Sequence, residues 1–269
     1  MKILVPVDFS PSSYKALLLA RQLATALKAE ICVMHILEPV GGDVAFVADY
    51  NRMIEEAECK LKAFVASREA DNQENVVEVG FPTERIIDQI EKNNVTMVVM
   101  GMEADMSHLD RDVFGSNAYD IIKKGQCPVL TVPADSRTSD LGKIMLAVEL
   151  HRKENIYMLS FLKRIVHHFN ASLHLVHITK DEHVDLRETS NEAVHWLKEN
   201  LKDVDHKFVT ISDTHVAEAL NYYAEDEDVG MMVLSPEKQN FFERLIKGST
   251  TRKTVLHTRV PVLTFPEDY

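Results

Sequence analysis

The chain has 269 residues, 45% hydrophobic and 27% charged, which is the composition of an ordinary globular protein. Its formal net charge of −12 opposes both a nucleic-acid phosphate backbone and an anionic membrane surface. No apolar run reaches the roughly 18–20 residues of a transmembrane helix, and Cys32, Cys59 and Cys127 form no CxxC pair. All three cysteines therefore read as small buried hydrophobes.

The first element is a β-rich run over residues 2–7, ending at Asp8. That run is too short for a signal peptide, so a cytoplasmic protein is expected. Ser10-Pro11 supplies an N-cap and a first-turn proline for a helix carrying Tyr14, Leu17, Leu18, Ala24 and Leu27. A second strand is predicted over 30–37, a long amphipathic helix over 43–70 and a third strand over 76–79, ending at Gly80. A helix over 83–93 buries Ile86, Ile87 and Ile90; a fourth strand covers 95–100. A helix around 116–124 and a fifth strand over 128–132 complete the series.

The same series then recurs. KILVPVDF at 2–9 resembles KIMLAVEL at 143–150, and Met97-Val98-Val99-Met100-Gly101 resembles Met231-Met232-Val233-Leu234-Ser235. Gly115-Ser116 returns as Gly248-Ser249, and PVLTVP at 128–133 as PVLTFP at 261–266. Strands are expected near 143–148, 172–178, 206–211, 230–234 and 261–265, with helices near 152–169, 186–203, 215–225 and 249–257. The polar stretch 135–140 reads as a linker between domains at 1–134 and 141–269. Alternating strands and helices imply a parallel sheet with helices on both faces in each half. A ligand would sit outside the carboxyl ends of the strands, at the switch point.

The opening V-P-V-D-F-S, the glycine after strand four, G-S before the last helix and C-P-V-L at strand five resemble the universal stress protein family in its tandem two-domain form. The resemblance spans both halves. It implies two Rossmann-like (adenine nucleotide alpha hydrolase-like) α/β domains, each a five-stranded parallel sheet flanked by helices. It also implies that the two domains pair within the chain, and that two chains could pair in turn as a homodimer. Many members bind ATP and others do not. The binders carry G-x-x-G, nine residues, then G-S or G-T, whose glycines let the backbone approach phosphates at a helix N-terminus. An aspartate ending strand one meets the adenosine.

Carried onto this chain, the resemblance makes Pro6, Val7, Asp8, Gly101, Gly115, Ser116 and Asn117 the nucleotide candidates of the first half, and Gly248 and Ser249 those of the second. The first half departs from the pattern at Ala104, with a gap of ten residues to Gly115 and with Glu103, Asp105, Asp110 and Asp112 in the loop. Those carboxylates would repel a polyphosphate unless Mg²⁺ or Mn²⁺ intervened; a solvated acidic loop that binds nothing is the competing reading. The second half keeps the spacing but has Ser235 and Lys238 at the glycine positions and Glu149 in place of the aspartate.

Twelve histidines include His35 and His177, at one repeat position beside the expected cleft. His174 and His177 are three apart on a strand and face opposite sides, which argues against zinc. No G-x-S-x-G elbow and no P-loop occurs, so no catalytic and no metal-ligating residue is assigned. Three readings stay open: a regulatory stress protein without turnover, an ATP-binding member with slow hydrolysis or a nucleotide-switched protein partner, and a pure interaction module.

Overall fold

The computed structural model describes residues 1–39, 47–66, 72–102, 116–136, 140–149, 154–179, 192–234 and 258–266. Those through Ala134 form one compact unit and those from Asp135 another.

In the first unit, β1 (Lys2–Val7) is followed by α1 (Pro11–Leu27), β2 (Glu30–Leu37), α2 (Val47–Val65), β3 (Gln73–Val79), α3 (Pro82–Lys92), β4 (Met97–Met102), α4 (Ser116–Lys124) and β5 (Val129–Pro133). Every pair among them is parallel, in the order β3-β2-β1-β4-β5. The second unit runs β6 (Lys143–Ala147), α5 (Ile156–Phe169), β7 (Ser172–Thr179), α6 (Glu192–Asn200), β8 (His206–Ser212), α7 (Val216–Asp226), β9 (Met231–Leu234) and β10 (Val262–Thr264). Its order, β8-β7-β6-β9-β10, repeats that of the first unit element for element.

Central strands covered on both faces need apolar residues throughout, and β1, β4, β6 and β9 supply them: Ile3, Leu4, Val98, Val99, Ile144, Leu146, Met231 and Val233 are wholly enclosed. Met34, Met97, Met100 and Met232 fill the core. α1 starts where Ser10 and Pro11 predict, with Ser10 Oγ accepting from the Ser13 N–H at 3.2 Å. Its stripe of Ala16, Leu17, Leu19, Ala20, Leu23 and Ala24 is matched on α5 by Met158, Leu159, Phe161, Leu162, Ile165 and Val166. Both helices end on a left-handed residue, Lys28 (φ 52°) and Asn170 (φ 48°).

Some expectations need correction. β3 begins at Gln73, three residues before the apolar run, because an edge strand paired only with β2 tolerates polar side chains. β4 reaches Met102 through its pairing with Pro133, so Gly101 lies inside the strand and not after it. Ile87 and Leu18 are only half-buried. Cys59 is exposed on α2, while Cys32 and Cys127 are buried and their thiols are pushed up by burial to about 11 and about 12. The helix predicted over 43–70 is described only as α2; the one predicted over 249–257 lies outside the described residues.

α5 departs most. It has 14 residues against 17 in α1 and opens on the N-cap Asn155. Aligned on their shared buried stripe and C-caps, Glu154 and Asn155 stand where α1 has Ser12 and Ser13. The first turn of α1 thus has no helical counterpart among the described residues of the second unit.

The central pairs differ too. The register of β1 with β4 runs Ile3–Met97, Leu4–Val98 and stops. The next rung would need an N–H at position 6, and Pro6 has none. In the second unit Ala147 stands at the matching place, and the register of β6 with β9 continues through Leu146–Val233 to Ala147–Leu234.

Candidate functional site

In a sheet ordered 3-2-1-4-5 the chain reverses direction between strands 1 and 4, and the crevice there lies beyond the carboxyl ends of β1 and β4. Asp8 is the first residue past β1 and is exposed. Its Oδ1 accepts from the Ser10 N–H at 3.0 Å and from the Ser10 hydroxyl at 2.5 Å. Burial pushes the carboxyl up, but these donors, together with the Ser13 hydroxyl, outweigh it and hold the group below its ordinary value. Asp8 is therefore ionised at neutral pH and keeps acceptor capacity on a carboxylate that offers about four lone-pair sites.

Phe9 holds this corner. Its φ of +66° lies in the left-handed region, which costs a bulky residue about 1–3 kcal/mol. The ring packs on His35 at a centroid distance of 4.2 Å and edge-on to Phe64 at 5.5 Å. Tyr14 also meets Phe64 edge-on, at 5.5 Å. His35 is fixed by Nδ1, 2.8 Å from the carbonyl oxygen of Val7. A carbonyl only accepts, so Nδ1 carries the proton.

Gly101 has a use of its own in the fold. A Cβ there would stand 2.5 Å from both the carbonyl carbon of Ser12 and the amide nitrogen of Ser13. The first turn of α1 lies directly on β4, and this contact alone requires glycine. Of the other candidates, Pro6 and Val7 end β1, and Ser116 and Asn117 open α4. Gly115, Gly248 and Ser249 lie outside the described residues, as do Ala104, Ser235, Lys238 and the acidic loop.

In the second unit His177 Nδ1 lies 3.1 Å from the Val148 carbonyl oxygen, repeating the His35 bond. Glu149 follows at the position of Asp8. Glu154, unforeseen in the sequence, is 4% exposed, and among the described residues neither of its carboxyl oxygens has a hydrogen-bond partner. Asn155 Oδ1 caps α5 through the N–H groups of Tyr157 and Met158 at 2.8 and 3.3 Å.

His174 and His167 serve the fold. His174 points away from His177, is buried, and lies 2.9 Å by Nδ1 from the Tyr223 hydroxyl. His167, in the last turn of α5, meets Asp203 at 3.3 Å. Among the described residues no three His, Cys, Asp or Glu side chains stand together as a metal site. No described helix is long and apolar enough to cross a membrane. A cleft of about 550 Å³ lies at the amino ends of β6, β9 and β10, where Asp140, Glu225, Asp226 and Asp228 face Arg259. It is at the wrong end of the sheet for a switch-point ligand.

What sequence spacing missed were the bonds that run from side chain to backbone: the Asp8–Ser10 pairing, the two histidine–carbonyl contacts and the left-handed Phe9. The serines after Asp8 were legible as caps, and nothing in a hydropathy pattern marks a second role.

The model of the Universal stress protein family matches residues 1–133 and again 141–266. A universal stress protein of Methanocaldococcus jannaschii is 27% identical over 152 residues, covering 49% of this chain and 93% of that protein. A stress response protein of Bacillus subtilis is 27% identical over 162 residues, covering 49% of this chain and 96% of its own. Among solved structures, a universal stress protein from Archaeoglobus fulgidus aligns over 99% of this chain and 98% of its own, with a TM-score of 0.73 at 17% identity. That last likeness speaks for the fold of both halves.

Proposed function

The chain belongs to the universal stress protein family, and from that premise we propose that it is a regulatory binding protein of the stress response, without turnover, whose first half takes an adenine nucleotide. The observation that carries the reading is Asp8: an ionised, exposed carboxylate at the switch-point crevice, with two Ser10 donors on one oxygen. A carboxylate held this way is an acceptor for the paired hydroxyls of a ribose. Gly101 adds less, since helix packing already requires it. The acidic loop that follows calls for Mg²⁺ or Mn²⁺ beside the phosphates. No nucleophile–base pair or general acid is assigned, so nucleotide occupancy, not turnover, would be the signal.

The test is calorimetric titration of ATP with Mg²⁺ or Mn²⁺ into protein stripped of ligand. The expected result is saturable binding in the micromolar range that is lost in Asp8→Ala. Absence of heat and of thermal stabilisation at millimolar ATP would overturn the reading.

A further inference from the structure

The two clefts differ at the rung that borders the switch point. We propose that Pro6 is a positioning residue that holds the first cleft open, and that the chain consequently takes one nucleotide and not two. The inference rests on the nucleotide reading for its stoichiometry, and on the sheet alone for the action of Pro6.

Three observations converge. First, the β1–β4 register ends at Leu4–Val98 because position 6 offers no N–H, whereas the β6–β9 register runs two rungs further, to Ala147–Leu234. Each unmade rung leaves the carboxyl ends of β1 and β4 unzipped beside Asp8, where a ligand has to enter. Second, α1 carries its first turn up to this crevice, with Ser10 bonded to Asp8 and Ser12 Oγ 2.9 Å from Ser10 Oγ. α5 lacks that turn and sets the buried carboxylate of Glu154 in the place of Ser12. Third, that carboxyl group has no hydrogen-bond partner on either oxygen among the described residues. In the place of the Ser12 hydroxyl, which can donate to a phosphate, the second half has a buried acid, which brings acceptor oxygens where a polyphosphate needs donors. The second cleft is zipped where the first is open, and has a buried acid, Glu154, where the first has the hydroxyl of Ser12.

The experiment compares wild type with Pro6→Ala and Pro6→Val by hydrogen exchange and by ATP titration. Expected are a slowly exchanging amide at position 6 in both variants, a fall in ATP affinity of about tenfold or more, and one ATP per wild-type chain. An amide at position 6 that exchanges as fast as a loop amide overturns the action of Pro6, whatever ATP does. Unchanged affinity in both variants also overturns it, and two equivalent ATP per chain overturns the single site. If wild type binds no ATP, the nucleotide reading and the single site fall, and the exchange result still decides what Pro6 does to the sheet. Glu154→Leu guards against a misread second cleft. It is expected to raise the urea midpoint, because it removes buried carboxyl oxygens that have no hydrogen-bond partner among the described residues, and a lowered midpoint would show that Glu154 has a partner and overturn its part.

Discussion

The imidazole of His35 is bound through Nδ1 to the carbonyl oxygen of Val7 at 2.8 Å, tying the end of β2 to the end of β1 one residue before Asp8. The second half repeats the tie between His177 and Val148 at 3.1 Å. It survives where Asp8 has become Glu149 and the helix start has moved. A feature kept through that much change belongs to the scaffold of the fold.

Both rings are therefore expected as the Nδ1–H tautomer when neutral, with Nε2 as the acceptor. Long-range ¹H–¹⁵N spectra of the imidazoles check this directly. Two Nε2–H tautomers would contradict both contacts. His35→Ala is expected to cost about 1–3 kcal/mol in urea unfolding, since the Val7 carbonyl loses its donor and Phe9 loses a packing partner.

Gly101→Ala places a methyl 2.5 Å from backbone atoms of Ser12 and Ser13, which cannot swing aside as a side chain would. The expected loss is about 1–3 kcal/mol, seen as a lower urea midpoint at unchanged slope. A neutral result would mean that α1 slides off β4 without cost.

His174 gives the stability a pH dependence. It is 2% exposed, and burial above all lowers its pKa from 6.5, with Lys207 and Lys143 adding to the shift while Glu227 and Asp205 oppose it. Tyr223 faces it by its hydroxyl, and burial pushes that group up to about 12, so it stays a donor. A folded pKa below the unfolded one means that the unfolded chain binds the extra proton. The contribution is full above about pH 6.5 and is lost as pH falls through that value toward the folded pKa. Urea midpoints between pH 7.5 and pH 5 should fall for wild type and fall less steeply for His174→Gln. Parallel curves would remove His174 as the cause.

The repeat, the alternation of strands and helices in each half and the Ser10–Pro11 helix start are legible because each has a local or periodic signature. The family resemblance rested on the same landmarks. β3 was cut short because Gln73, Glu74 and Asn75 hide an edge strand from any apolar pattern. In the sequence Gly101 looks like a loop residue, because its strand membership depends on pairing with Val132, far along the chain. Residue type alone puts Cys59 in the interior, whereas its place on α2 leaves it exposed. Glu154 was invisible: its burial follows from a helix that starts one turn late, and start positions follow from tertiary packing as much as from capping residues. Pro6 was singled out for its place in the opening motif, but the rung it withholds is seen only once the register of both halves is known.

The late start of α5 bears on how such a protein can change over generations. Where two identical copies assemble, any mutation in the cleft appears in both sockets at once, and a loss in one is a loss in both. Here a single reading frame encodes both, so the second socket could shed a helical turn and take in an acid while the first kept its aspartate and its proline. Each half is free to drift under its own selection, and specialisation can arise without passing through a form that has no working site.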